Sequence, residues 1–417
     1  MKRSRPAALF LALAMLLCAL PVSAAESDWL VPKAKDCPGF ADVKGSWCES
    51  YVKTVCEAGL MEGRSDGSFN PSGGLMPEHI VAICARLYNL LTGGDGVLPE
   101  PAEGQSWYDP AYAYLAESVG YRGTYDPASG RYLGGGDGAQ TPEERLNALR
   151  LHFNPGKYPV SRWSFLDLLS RTLAAAEADL PAINQITMAP DCKDPMVLSF
   201  YNAGVLTGSD QYGTFQGDES LNRGQAAAML ARVIDPSLRL TFTPKPFDLC
   251  RDVLGVAPET VLLTVDGQAV TAELFAYQLC TSLLQWEGTA DKALKDATQF
   301  WCEYYAPFQV LAEEKGVSLS EEKLAGIAAE AQASAGLYGT TAAYQQFQKV
   351  GSALNLALRD LYIEKDWKWG ESDYHSDLQK VSAALLQKAV PTDALNALDL
   401  RAVYTRLKAS PFAIWRF

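Results

Sequence analysis

Two arginines stand at positions where the chain could bind an anion. Arg162 and Arg223 each begin a ten-residue, largely apolar segment that ends in a second arginine nine positions later. If each segment is a helix, its leading arginine lies at the N-terminus, where free backbone amides also favour an anion. A guanidinium can bind a carboxylate through two parallel hydrogen bonds. The alternative is that these arginines pair with Asp or Glu inside the fold.

A third copy of the segment, from Pro77 to Arg86, has proline in place of the leading arginine. Proline is tolerated in the first turn of a helix, so this copy keeps the helix start and loses the anion-binding side chain. An aromatic turn precedes each copy, at Phe69, Phe153 and Phe215, and the offset to the segment is 8, 9 and 8 residues. Such a repeat predicts units that bury their apolar faces against one another.

A second helical pattern lies upstream of each aromatic turn. Apolar residues at helical spacing run into a glycine in Tyr51–Gly59, Tyr112–Gly120 and Met196–Gly204, and glycine commonly ends a helix. Each repeat is therefore predicted as helix, turn, loop and helix. The middle repeat also carries an insertion, residues 121–151, which we interpret as a surface loop with a short helix from Pro142 to Leu151.

Histidines give no support for catalysis. His79, His152 and His375 are scattered along the chain, whereas a metal site or a catalytic triad needs such residues brought together. The sequence also lacks a nucleophile motif or a clustered acid pair. We therefore expect no enzymatic activity, no metal and no cofactor.

Eight cysteines follow the N-terminal region, and none forms a close Cys-x-x-Cys pair. In an exported chain an even number permits disulfides. The pairs Cys56 with Cys84 and Cys280 with Cys302 would each join neighbouring predicted helices. Buried free thiols are an equally weighted alternative.

The N-terminus and the charge indicate an exported, acidic protein. Residues 1–25 have a basic start, a short apolar run and a small-residue exit, which is typical of a secretory signal peptide. The formal net charge of −13 disfavours nucleic acid and anionic membranes as partners. No later stretch reaches the ~20 apolar residues that a bilayer requires. The remaining chain is long enough for two or three domains.

The combined motifs resemble three S-layer homology repeats. The residues that carry the resemblance are Phe40, Asp42, Gly59, Leu60, Gly63, Asp66, Gly67, Phe69 and Pro71 in the first repeat, Trp107, Asp109, Phe153 and Pro155 in the second, and Gly204, Gly208, Phe215 and Arg223 in the third.

The resemblance implies a mainly α fold in which three repeats form a helical bundle with pseudo-threefold symmetry. The repeats would span residues 38–92, 105–176 and 185–236, within a domain of residues 36–240.

In S-layer homology domains the grooves of such a bundle bind secondary cell-wall polysaccharide, often carrying pyruvate ketals. The resemblance implies that this polymer, with peptidoglycan, is the partner here. Arg162 and Arg223 would bind the anionic group. Trp47, Asp42, Trp107 and Asp109 match positions near the groove, although a tryptophan at this spacing is as often part of a core.

A different region follows a proline-containing linker at residues 241–257. Asp266-Gly267 between two apolar runs predicts a short β-hairpin, and long helical patterns fill the rest of residues 258–417. Residues 258–370 resemble the N-terminal region of extracytoplasmic foldases of the SurA and PrsA kind, without room for an isomerase domain. The residues that could line a cradle for unfolded exported polypeptides, or simply form a core, are Trp286, Trp301, Tyr304, Tyr305 and Phe308.

The leading interpretation is a secreted cell-surface protein, anchored noncovalently to the cell wall, that displays a helical domain. A wall-tethered chaperone without isomerase activity is the alternative. The two differ in one observable property, because a chaperone needs an open apolar cradle and a structural module closes its aromatic residues into a core.

Overall fold

The computed structural model describes residues 29–119, 123–126, 131–134, 141–363 and 373–413, and it is mainly helical. The predicted signal peptide, residues 1–25, lies outside the described residues. Two compact units divide the chain. The N-terminal unit contains Met1–Pro181, Ala203–Val205 and Asp218–Thr241, and the C-terminal unit contains Ala182–Asn202, Leu206–Gly217 and Phe242–Phe417. The segment predicted as the third repeat contributes residues to both units.

In the N-terminal unit, helices alternate with loops. The helices and strands of this unit are α1 (Glu49–Glu57), α2 (Pro77–Leu91), α3 (Asp109–Ser118), β1 (Gly123–Asp126), β2 (Arg131–Gly134), α4 (Pro142–His152), α5 (Arg162–Ala175) and α7 (Arg223–Ile234), with a 3₁₀ turn at Pro236–Leu238. Helix α6 (Pro195–Asn202) belongs to the C-terminal unit.

Each copy of the repeated segment begins a helix at its first residue, as the sequence predicts. Pro77 lies in the first turn of α2. At α5, Ser161 caps the helix by accepting the backbone N–H of Ser164 at 3.2 Å. At α7, Asn222 accepts the N–H of Gln225 at 2.8 Å, and the Gln225 side chain accepts the Asn222 N–H at 3.2 Å. Caps of this kind satisfy amides that the helix leaves unpaired, so the helix starts are set locally.

A closed ring of backbone hydrogen bonds joins three segments of the N-terminal unit. The N–H of Val160 donates to Leu75 O at 2.8 Å, that of Leu221 to Val160 O at 2.8 Å, and that of Leu75 to Leu221 O at 2.9 Å. All three side chains are buried. Each residue lies two positions before α2, α5 or α7, so the ring holds the N-termini of these three helices together.

Other sequence signals have mixed outcomes. Gly59 and Gly204 adopt the predicted left-handed conformation after their helices, with φ of 71° and 73°, whereas Gly120 lies outside the described residues. In the insertion, the predicted short helix is α4. The interpretation of the rest as loop was incomplete, because β1 and β2 pair in antiparallel fashion.

The C-terminal unit packs helices around a small sheet. Its further elements are a π-helical turn (Leu249–Leu254), β3 (Val261–Val265), β4 (Gln268–Thr271), α8 (Ala272–Gln285), α9 (Ala290–Tyr304), α10 (Ala306–Lys315), α11 (Glu321–Ser334), a 3₁₀ turn (Leu337–Gly339), α12 (Ala342–Ile363), α13 (Asp373–Gln387), β5 (Ala389–Pro391), α14 (Asp393–Asn396) and α15 (Leu400–Lys408).

The predicted hairpin forms at β3 and β4. Asp266 and Gly267 both have positive φ, 51° and 79°, as a two-residue hairpin turn of this type requires. The sequence did not indicate β5, which pairs with β3 and gives the antiparallel order β4-β3-β5. Within the long helical patterns of this region, residues 290–315 form two helices, α9 and α10, because Pro307 in the first turn of α10 cannot continue the hydrogen-bond ladder of α9.

The range predicted as a linker, residues 241–257, includes the π-helical turn at Leu249–Leu254. Leu249, Cys250, Val253 and Leu254 are buried there in the core of the C-terminal unit. This part of the range is therefore packed structure. Among the described residues, no helix is both long and apolar enough to cross a membrane.

Candidate functional site

Arg223, the first residue of α7, is held in place by two backbone carbonyl groups. Its Nε donates to Phe69 O at 2.8 Å and its Nη2 donates to Glu62 O at 2.6 Å. The guanidinium carbon lies 4.6 Å from the centre of the Phe69 ring, which is a cation–π distance. These contacts fix the plane of the guanidinium, and Nη1 makes no hydrogen bond to the described residues.

The loop under Arg223 is tied to the start of α7. The backbone N–H of Arg223 donates to Gly73 O at 2.9 Å, and that of Gly224 donates to Pro71 O at 2.8 Å. The first amides of this helix are therefore already paired. The helix N-terminus consequently adds less to anion binding than the sequence analysis assumed.

A second cation lies near Arg223. Arg64 is exposed, and both of its terminal nitrogens donate to the amide oxygen of Asn70, at 2.9 and 2.5 Å, in the orientation of that amide that satisfies both groups. Burial is the main cause that lowers the pKa of Arg223, and the charge of Arg64 lowers it further. Two neighbouring cations that repel each other gain from a shared anion.

Trp47 provides an aromatic surface at the start of α7, next to Gly224. It is 63% exposed, which is unusual for tryptophan. A Cβ atom on Gly224 would lie 3.4 Å from Trp47 Cζ2 and 3.2 Å from Pro71, so the glycine leaves room for the indole ring next to α7. We call Trp47, Arg64, Asn70 and Arg223 the Trp47–Arg223 surface.

Asp42 braces this surface. Its two carboxylate oxygens accept the backbone N–H groups of Phe69 (3.0 Å) and Asn70 (2.6 Å), and these bonds lower its pKa. The carboxylate therefore holds the loop whose carbonyl group positions Arg223. The structure assigns Asp42 a positioning role, where the resemblance implied a residue near the groove.

The C-terminal unit contains the same brace. Asp191 accepts the N–H groups of Phe215 and Gln216, each at 2.8 Å. Gln216 has a positive φ of 54°, like Asn70 at 55°. Asp191 was not among the residues predicted from the sequence, although its spacing to the aromatic turn at Phe215 was a usable signal.

Trp107 lies in a different environment. It is 53% exposed, and the His79 ring stacks against it at 5.6 Å with an interplanar angle of 30°. Burial lowers the pKa of His79, which favours a neutral imidazole. Glu78, next to it, accepts the Gly156 N–H at 3.0 Å. The charges of Arg223 and Arg64 lower the pKa of His79 further, so both guanidinium groups lie within electrostatic range of this ring.

Asp109 is also a bracing residue. One carboxylate oxygen accepts the Ser106 N–H at 2.8 Å at the start of α3, and the other accepts Arg150 Nη2 at 2.8 Å. An aspartate in the first turn also suits the positive end of the helix dipole.

Arg162 differs most from its sequence prediction. Its backbone N–H donates to Glu219 O at 2.9 Å, and the residue is only 7% exposed. A guanidinium buried to this degree cannot reach a polymer in solvent without local rearrangement. The structure therefore places Trp47 against Gly224, the residue that follows Arg223, and buries Arg162.

Most of the proposed client cradle is closed. Trp301 is 4% exposed and stacks on Phe347 at 4.9 Å with an interplanar angle of 1°. Tyr305 packs against the main core of the C-terminal unit, and Phe308 packs against a second, smaller core cluster. Only Trp286 and Tyr304 are exposed. Trp301, Tyr305 and Phe308 are core residues that pack inside the C-terminal unit. The structure therefore does not support a chaperone role.

Comparison with known families gives one match. The model of the S-layer homology domain matches residues 39–75, a segment that contains Trp47, Arg64 and Asn70. S-layer homology domains bind cell-wall polymers, and the match indicates a cell-surface, cell-wall-associated protein outside the cytoplasm. No curated protein matches the chain.

Proposed function

We propose that this protein is a noncovalent cell-wall anchor, and that the Trp47–Arg223 surface binds an anionic secondary cell-wall polysaccharide. The observation that carries the proposal is the exposed indole of Trp47 against Gly224, the residue that follows Arg223, together with the neighbouring charges of Arg223 and Arg64. An aromatic plane can stack on a sugar ring, and guanidinium groups recognise carboxylate or phosphate substituents. The proposed role is binding, without catalysis, and the C-terminal helical unit is the displayed part.

Preorganisation supports this assignment. The carbonyl groups of Glu62 and Phe69 hold two of the nitrogens of Arg223, so little conformational entropy is lost when Nη1 meets a ligand. Arg64 adds an exposed second charge. A pyruvate ketal presents one carboxylate on a rigid ring, which suits a pair of neighbouring cations.

We also propose that the segments 38–92, 105–176 and 185–236 are three equivalent repeats with pseudo-threefold symmetry. The cyclic hydrogen bonds among Leu75, Val160 and Leu221 support this, because each residue occupies the same position before its helix. The matching braces at Asp42 and Asp191 support the equivalence of the first and third segments. The repeats are unequal in function, since Pro77 and the buried Arg162 leave Arg223 as the accessible arginine.

The ligand class is tested with purified cell-wall sacculi. Full-length protein should sediment with intact sacculi and remain in the supernatant with sacculi treated with hydrofluoric acid, which removes phosphodiester-linked polymers from peptidoglycan. Higher salt should weaken the binding to intact sacculi, because the ion pairs are exposed to solvent. Equal sedimentation with both preparations would exclude the secondary polymer as the ligand.

A further inference from the structure

Two thiols of the N-terminal unit lie next to each other. Cys37 is partly exposed, and Cys56 in the last turn of α1 is buried. The Cys37 thiol lies close enough to Cys56 to raise its pKa. The two side chains are therefore neighbours before any bond forms between them.

The backbone around Cys37 is fixed against the end of α1. The N–H groups of Ala34 and Lys35 donate to Glu57 O, at 2.8 and 3.1 Å. Lys33 forms an ion pair with Glu57 at 3.0 Å, and Lys35 pairs with the Glu62 carboxylate. These contacts on both sides of the helix end keep Cys37 beside Cys56.

The disulfide pairs predicted from the sequence are not formed. Cys48 and Cys84 have other surroundings than Cys37 and Cys56. All eight described cysteines are free thiols. Cys84, the predicted partner of Cys56, is fully buried. Cys48 lies 3.3 Å from Ser46 Oγ. Neighbouring helices alone, the basis of the sequence expectation, do not bring the sulfurs of Cys56 and Cys84 together.

We propose that Cys37 and Cys56 form an intramolecular disulfide in the exported protein. The oxidant is a disulfide, either of an exported thiol oxidoreductase or of a small molecule such as oxidised glutathione. The Cys37 thiolate attacks it, forms a mixed disulfide and releases one thiol. Cys56 then loses its proton to solvent, attacks the Cys37 sulfur and expels the second thiol. Two protein thiols lose two electrons, and the external disulfide becomes two thiols.

The environment of Cys56 controls the second step. Burial, and then the neighbouring Cys37 thiol, raise the pKa of Cys56 to about 12. Little of this thiol is ionised at neutral pH, so ring closure is slow without a catalyst and faster at alkaline pH.

The bond would brace the site described above. Lys35 is two residues from Cys37 and pairs with the side chain of Glu62, whose carbonyl oxygen accepts Arg223 Nη2. A crosslink at Cys37 therefore restrains a segment that supports the Trp47–Arg223 surface. The crosslink itself does not depend on which ligand this surface binds.

Peptide mapping tests the bond directly. Full-length protein is incubated with oxidised glutathione at pH 8, free thiols are alkylated, and the chain is cut with trypsin without reduction. Cleavage after Lys35, Lys44, Lys53 and Arg64 places Cys37, Cys48 and Cys56 on three separate peptides. We expect peptides 36–44 and 54–64 as one crosslinked species, two hydrogen masses lighter than their sum, with peptide 45–53 alkylated. Complete alkylation of Cys37 and Cys56, or a crosslink to Cys48, would overturn the proposal.

Thermal unfolding supplies a second readout. Closing a loop of this size should raise the midpoint temperature of the oxidised protein over the reduced protein by roughly 5–10 °C. The variant Cys37→Ser, which changes a partly exposed residue, should show no such difference, whereas Cys84→Ala should keep it. An equal difference in wild type and Cys37→Ser would show that another pair carries the effect.

Discussion

The N-termini of α5 and α7 have the same sequence pattern and opposite environments. Arg162 and Arg223 are both the first residue of a capped helix, and a ring of backbone hydrogen bonds joins the segments before them. Arg162 is buried, whereas Arg223 lies near the surface against two carbonyl groups. Trp163 follows the first arginine and Gly224 the second. The repeat pattern thus predicts the position of each arginine at the start of its helix. The residues packed around the side chain determine whether a ligand can reach it.

The largest effect on binding is expected at Arg223. Arg223→Ala should lower the affinity for sacculi by about 10- to 100-fold, because a charged hydrogen bond is worth about 1.5–3 kcal/mol. Co-sedimentation isotherms at fixed ionic strength measure the change. Arg251→Ala, at an exposed arginine of the C-terminal unit, is the matched control. Wild-type affinity in a folded Arg223→Ala protein would refute the role of this residue.

The opposite result is expected at Arg162. Arg162→Ala should lower the free energy of unfolding by roughly 2 kcal/mol, because it removes a buried polar side chain from its surroundings. Urea denaturation measures this loss. The folded fraction should bind sacculi within about twofold of wild type. A loss of affinity at unchanged stability would instead place Arg162 in the binding site, as the sequence suggested.

The two exposed tryptophans offer a smaller contrast. Trp47→Ala should weaken binding by roughly 3- to 10-fold, since an aromatic contact contributes about 0.5–1.5 kcal/mol. Trp107→Ala should change it by about twofold or less, because the His79 ring covers one face of that indole. Titration of both variants against the same sacculi measures the ratio. Equal losses would indicate two equivalent grooves.

The smallest effect is a pH dependence at His79. Because burial lowers its pKa in the folded state, the unfolded chain binds the proton more readily. Its contribution to stability is complete above the ordinary value of 6.5 and falls as the pH drops below that value. His79→Gln should reduce the decrease in melting temperature between pH 7 and pH 5 by roughly 2 °C or less. An unchanged pH profile would mean that His79 does not titrate in this range.

Local signals in the sequence predicted most helix boundaries. The first residues of the repeated segments identify helix starts, Gly59 identifies a helix end, and Asp266-Gly267 identifies a hairpin, because each signal acts through its own backbone neighbours. The break between α9 and α10 was also visible in the sequence, at Pro307.

The candidate site was less predictable, since it depends on contacts between distant segments. Asp42 has the family position but accepts amides 27 and 28 residues away. No sequence motif marked Arg64 or Gly224 as a site residue. Both belong to the candidate site because the loop that contains Phe69 packs against the start of α7. The burial of the aromatic residues of the C-terminal unit was equally hard to predict, because Trp301 on α9 stacks on Phe347 on α12, which is distant in the sequence.

One binding measurement tests the central claim most directly. Full-length wild type, the double variant Trp47→Ala/Arg223→Ala and the matched control Trp286→Ala/Arg251→Ala are titrated against intact sacculi at one salt concentration, with folding checked by circular dichroism. The account predicts that the control sediments like wild type and that the double variant stays in the supernatant at concentrations that half-saturate wild type. A folded double variant that sediments like wild type would contradict it.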